Sequence, residues 1–239
     1  MKRLTIVLAT LVAFYQGIWA QEETENNQSN FDASVGADIV SAYVWRGQKL
    51  GDVSVQPYLT IDWKSLSFEA SGSMGFNSDD PREIDLTIGY NIGDFTVALT
   101  DYWTTYNYVR FDYFNFKKDE TAHVLEINLA YDFDFLSINW YTNILGADGE
   151  TSNGNRAFSS YLSLIAPFEF AKLNWEAELG ICPWNTSYYE GVTGFNICDI
   201  SITAYKDIVI TDTFTIPMHG KLGFNLANKD AYFVVGISF

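Results

Sequence analysis

Between residues 53 and 76, apolar side chains recur at every second position, and no other feature constrains the chain as much. In the first stretch Val53, Val55, Pro57, Leu59, Ile61 and Trp63 alternate with Ser54, Gln56, Tyr58, Thr60 and Asp62. In the second, Leu66, Phe68, Ala70, Gly72, Met74 and Phe76 alternate with Ser67, Glu69, Ser71, Ser73 and Gly75. A period of two sends successive side chains to opposite faces of a β-strand. Each stretch therefore reads as a strand with one apolar face, and the change of parity at Lys64-Ser65 makes the pair a hairpin. The same test predicts strands near residues 32–46, 53–64, 66–77, 82–91, 94–103, 121–132, 135–145, 157–168, 171–182, 195–206, 212–224 and 230–239. No helical periodicity competes with them.

These strands run to roughly 10–15 residues, where about five or six is usual in soluble sheets, and they come in an even number. Their connections alternate in length. Short ones are expected near residues 64–65, 91–94, 132–134 and 169–170, longer ones at 47–52, 77–81, 104–120, 146–156 and 183–194. Only the last third departs, with a link after Lys206 that is not tight and a short loop at 226–229. The expectation is an all-β fold: a transmembrane antiparallel up-and-down β-barrel of about twelve strands, with short turns and both chain ends on the periplasmic side and long loops outside. A soluble β-barrel or sandwich is the competing fold. Against it stand Trp63, Phe68, Tyr90, Phe95, Phe133, Phe168 and Phe214, all beside short turns, where an interfacial girdle would put them. The polar parities also carry more charge than a dry core accepts.

Residues 1–20 have a basic start (Lys2, Arg3), an apolar run from Leu4 to Phe14 and a small residue at Ala20, the pattern of a cleaved secretory signal peptide. Residues 21–30 read as a flexible polar lead-in and 31–239 as the barrel. No later run of 18 or more apolar residues offers a transmembrane helix. The expected location is thus the outer membrane of a Gram-negative cell, with outer-membrane lipid and the barrel-assembly machinery as partners. Lys+Arg 14 against Asp+Glu 30, a formal net charge of −16, excludes nucleic acid, whose affinity comes from neutralised phosphates.

If alternate residues face lipid, the others face the lumen. Asp38, Asp62, Glu69, Glu83, Asp85, Glu126, Glu176, Glu178 and Asp199 are assigned inward with Gln56, against Arg46, Lys64, Lys172 and Lys221. So acidic a lumen suits a porin or channel for passive diffusion of small polar solutes or cations, because like charges in a confined site concentrate counter-ions. Two other readings stay open. The lumen could be closed by its own salt bridges, or the loops, rich in aromatics at Tyr106, Tyr108, Phe111, Tyr113, Phe114 and Phe116, could bind a ligand or partner.

Arg46, just before a glycine at the top of the first strand, could hold an anionic solute, but a facing carboxylate is its expected partner. Asp101 breaks the parity of its strand: either a bulge turns it inward, which is the favoured explanation, or it lies above the lipid. An enzyme is not expected, since any His-dependent mechanism must use His123 or His219. His123 falls on the lipid-facing parity without a serine clearly beside it, and His219 points inward as a wall residue. No cofactor is implied, and no ligand spacing suggests a metal. Cys182 and Cys198 flank the 183–197 loop as a disulfide would, yet on opposite parities, so a bond needs a bulge near 195–197.

Ser41-Ala42-Tyr43-Val44-Trp45-Arg46-Gly47, followed by Ser54-Val55-Gln56-Pro57, resembles the first hairpin of the TorF-like family of outer-membrane porins, with its S-x-Y-x-[FW]-R-G motif. Glu83-Ile84-Asp85-Leu86 with Gly89-Tyr90 resembles that family's E-I-D-x-x-x-G-Y strand. The match covers about the first 100 residues. The resemblance implies an outer-membrane barrel with a transport role and no catalytic residues. The final stretch from Tyr232 to Phe239 is similar to the last strand of outer-membrane proteins generally, ending in the aromatic residue that the assembly machinery recognises.

Overall fold

A computed structural model describes residues 31–106, 112–118, 120–151, 154–189 and 192–239, and within them the predicted alternation closes into a cylinder. The signal peptide and lead-in, residues 1–30, lie outside the described residues, as do Tyr108 and Phe111. In chain order the strands are β1 (Phe31–Val40), β2 (Tyr43–Trp45), β3 (Gln48–Gly51), β4 (Ser54–Trp63), β5 (Leu66–Gly75), β6 (Arg82–Ile92), β7 (Phe95–Thr105), β8 (His123–Asp132), β9 (Ser137–Gly146), β10 (Ser160–Phe170), β11 (Leu173–Cys182), β12 (Asn196–Thr211), β13 (Phe214–Asn225) and β14 (Asp230–Ser238). Among the described residues, all but β2 and β3 form a closed barrel in which every neighbour is antiparallel. It closes where β1 pairs with β14 (Asp38↔Ser238) on one side and with β4 (Phe31↔Trp63 to Val40↔Ser54) on the other.

Three boundaries differ from expectation, each for a local reason. The first strand leaves the wall at Ser41 instead of running to residue 46, although Tyr43 and Trp45 keep the alternation going. They keep it in a separate hairpin, β2–β3. The turn expected at 169–170 falls at Ala171-Lys172, both at positive φ (53° and 62°), the twist a two-residue hairpin turn needs. The link expected to be loose after Lys206 is a tight turn at Asp212-Thr213. There β12 runs on to Thr211 through Ile208, Val209 and Ile210, whose consecutive apolar side chains hide the strand period. This last extension outruns its neighbours: β11 pairs with β12 no further than Tyr205, and β14 pairs with β13 only from Met218 onward, so Lys206–Thr211 and Phe214–Pro217 pair chiefly with each other.

The packing is inside out relative to a protein folded in water. Asp38, Glu126, Asn128, Asn139, Asn143, Ser163, Asp199 and Ser201 are buried inside, while Val35 (79% exposed), Phe68, Ile88, Leu145, Ile200 and Phe233 face outward. Exposed apolar area costs about 25 cal/mol per Å² in water, and soluble monomers rarely leave more than a few hundred Å² contiguous. The predicted girdle stands where the turns are: Trp63, Tyr90, Phe133, Phe168 and Phe214 are exposed, and Phe168 stacks on Trp175 at 6.2 Å.

Candidate functional site

At Ser41-Ala42 the chain leaves the wall and turns into the barrel. Ser41 holds the departure by exchanging bonds with Val235, its N–H donating to the carbonyl (2.8 Å) and its Oγ accepting from the amide (2.9 Å). The hairpin that follows crosses the lumen. Its tip is Arg46 (φ 51°) and Gly47 (φ 76°), a left-handed pair in which the second position has no room for a side chain: a Cβ on Gly47 would run into the Cys198 carbonyl on β12. Asn225 of β13 donates to the Gly47 carbonyl (3.1 Å), and the Tyr189 hydroxyl donates to that of Arg46.

The Arg46 side chain reaches further, into a cage. Its Nη2 donates to Glu126 Oε1 of β8 at 2.7 Å, with the two side chains only 5% and 1% exposed. Its guanidinium carbon lies 4.2, 4.6, 4.9 and 5.1 Å from the ring centres of Trp45, Tyr141, Tyr188 and Tyr161. Glu126 also accepts from the hydroxyls of Tyr102 (3.1 Å) and Tyr188 (3.2 Å). A buried ion pair survives desolvation only with such supporting bonds, and cation–π contacts add to it. Together the hairpin and the described residues Tyr188 and Tyr189 reach across the loop side of the lumen, to Glu126 and to the Arg46 carbonyl.

Below the hairpin lies a partly open cavity of about 180 Å³, roofed by Tyr43, Val44 and Trp45 and lined by Gln56, Glu69, Glu83, Asp85, Thr87 and Tyr102. Glu83 accepts from Tyr43 and from Thr104 (2.9 Å). Glu69 Oε2 and Asp85 Oδ1 are buried with no hydrogen-bond partner. Toward the turns, Asp62 is exposed and sits opposite Asp32. Across the lumen a second group is better satisfied: Glu178 with Lys221 (2.9 Å) and Ser163 (3.0 Å), Asp199 with Lys221 (3.5 Å) and Tyr232 (2.7 Å), Glu176 with Tyr205 (2.6 Å). Asp38 is buried, opposite Ser238. Above the barrel, the hydrogen bond and charge of Lys49 hold the Asp52 carboxyl below the usual carboxylate range.

Other predicted residues lie elsewhere. Lys64 and Lys172 belong to turns at positive φ rather than to the lumen, and Lys64 lies 5.1 Å over Trp63. Asp101 is not turned inward by a bulge: its register is unbroken against both β6 (Leu86↔Asp101) and β7's other neighbour (Asp101↔Leu125). It stays on the outer wall because it has a partner there. His123 Nδ1 lies 2.9 Å from its carboxylate, and Nε2 lies 2.6 Å from the Tyr113 carbonyl oxygen, so the 112–118 segment covers both. His219 faces inward and packs over Gly236. Cys182 and Cys198 are both buried, free, with Sγ atoms 2.6 Å apart. The register between β11 and β12 shifts so that Cys198 is the extra residue, a bulge that brings both thiols to one side.

Sequence reasoning missed the tyrosines of the cage. Tyr102, Tyr141 and Tyr161 share the inward parity of the charged residues, a usable signal, whereas Tyr188 and Tyr189 sit in a loop without period. No family model matches the chain, and no curated protein matches it. Among solved structures it is similar to Salmonella typhi OmpF in complex with daunomycin, at 10% identity and a TM-score of 0.36, over 87% of this chain and 97% of that one.

Proposed function

We propose that the chain is an outer-membrane barrel that passes small polar solutes, cations foremost, through its acidic lumen, and that the β2–β3 hairpin determines whether it conducts. The inside-out packing carries the membrane reading: an apolar wall of this extent needs lipid against it. The cavity under the hairpin supports the preference for cations. Glu69, Glu83 and Asp85 line it with no basic side chain among them. The likeness of Ser41 to Gly47 to TorF-like porins points the same way, and those residues are the ones that make the hairpin.

One observation favours a second reading, a barrel that conducts nothing and acts through its loops. Among the described residues, the Arg46 cage and its ion pair to Glu126 bridge the lumen on the loop side. Planar-bilayer recordings under a salt gradient separate the two. The intact chain should give small or rare openings. A variant with residues 42–52 replaced by a short glycine linker should give steady steps with cation preference, weakened by Glu69→Gln and Asp85→Asn. Silence from both proteins, each inserted and folded, would sink the pore reading and leave the loops as the working surface.

A further inference from the structure

The outer wall is not evenly filled. Over β4, β5 and β6 lies a groove of about 530 Å³, walled by Val55, Pro57 and Leu59 on one side and by Ile84 and Trp103 on the other. Its floor is Ala70 and Gly72, and the hollow is fixed by the backbone, because a Cβ on Gly72 would stand 2.5 Å from the Glu83 carbonyl oxygen. Arg82 closes the loop-side end. It opens β6, on the same outward parity as Ile84, and pairs with Met74 and Thr105.

Beside this end the 112–118 segment folds down against the wall. Tyr113 packs on Trp103, with ring centres 5.5 Å apart, and is held by His123. The anchoring leaves Phe114 83% and Phe116 64% exposed, next to Lys117. An aromatic pair and a cation at the rim of an apolar wall match the level of lipid headgroups.

We propose that this groove binds one acyl chain of an anionic lipid of the outer leaflet, with the phosphate held by Arg82 and the headgroup flanked by the Phe114–Lys117 foot. The proposal rests on the membrane reading above. Continuity with the lipid-facing wall makes a lipid the natural occupant. Arg82 makes it an anionic one, since a guanidinium fork suits phosphate oxygens. Among the described residues that line the groove, the basic one stands at the loop-side end, so the acyl chain must descend from the outer leaflet.

The test uses the full chain inserted in phosphatidylcholine vesicles doped with phosphatidylglycerol, extracted gently and weighed by native mass spectrometry. The intact barrel should retain one phosphatidylglycerol in preference to phosphatidylcholine. Arg82→Gln should retain it about tenfold less, as expected for a lost charge-assisted bond. Ala70→Leu, which fills the floor and spares Arg82, should lose it as well. Equal retention of the two lipids, or retention unchanged in both variants, overturns the proposal. Heat-modifiable mobility reports insertion separately, and a chain that never inserts overturns the membrane reading itself.

Discussion

Arg46 shows how much one side chain can organise. It owes its position to a left-handed turn, its charge balance to Glu126 and its contacts to rings from β2, β9, β10 and one loop. Removing one partner of a buried pair strands the other, at about 3–5 kcal/mol. Arg46→Ala should therefore lower the unfolding free energy measured in urea by an amount of that order and release the hairpin, whereas Arg46→Met combined with Glu126→Leu should recover much of the loss. A double mutant as unstable as the single would mean that the ion pair is not what the cage depends on. Gly47→Val should act through geometry alone: the new side chain meets the Cys198 carbonyl and the left-handed φ strains it. Its expected mark is raised conductance with near-normal barrel stability, and a silent, stable Gly47→Val barrel would contradict the gating role of the tip.

At the scale of elements, the cysteine pair joins two neighbouring wall strands at the base of the loop that holds Arg46. Cys182 ends β11 and Cys198 lies in β12, and between them runs the loop whose Tyr188 and Tyr189 hold Arg46. In an oxidising compartment the two thiols are expected to be joined. Denatured, unreduced protein should then take up no maleimide, and reduction should make the 183–195 loop easier to cleave by protease. Full labelling of both thiols without reductant would defeat this. Most of the wall was legible from the chain because a period of two is hard to counterfeit over ten residues. The hairpin was not, since Tyr43 and Trp45 continue the β1 period and only the left-handed pair at Arg46-Gly47 reverses the path. Asp101 escaped for the opposite reason: its parity is that of the outer wall and no bulge turns it inward, but the partner that lets it stay there, His123, is a cross-strand neighbour that spacing along one strand cannot reveal. The acidic side of the lumen followed from parity, whereas the hairpin's hold across it depends on contacts between segments far apart in sequence, such as Tyr189 with Arg46.

For the whole molecule, the inverted packing has a quantitative consequence. Ile88, mid-wall on β6 and 50% exposed, would tolerate a charge in a water-soluble fold. Against lipid, Ile88→Arg should cost about 2–4 kcal/mol, measured by urea unfolding from vesicles. A cost below about 0.5 kcal/mol, the usual range for surface changes in water, would argue that the wall does not meet lipid. A closed cylinder also has no first or last strand, which removes the free backbone rows through which β-proteins recruit one another. The overhanging ribbon of Lys206–Thr211 and Phe214–Pro217 is the exception: it reopens two such rows below the cylinder, with Ile208, Val209 and Ile210 exposed along one of them. Pro217 cannot donate, and Lys206, Asp207 and Asp212 put charge where a foreign strand would have to lie. Those four residues are the guards against templated aggregation, and crowded refolding of a chain lacking them is where the barrel's immunity to strand addition would first fail.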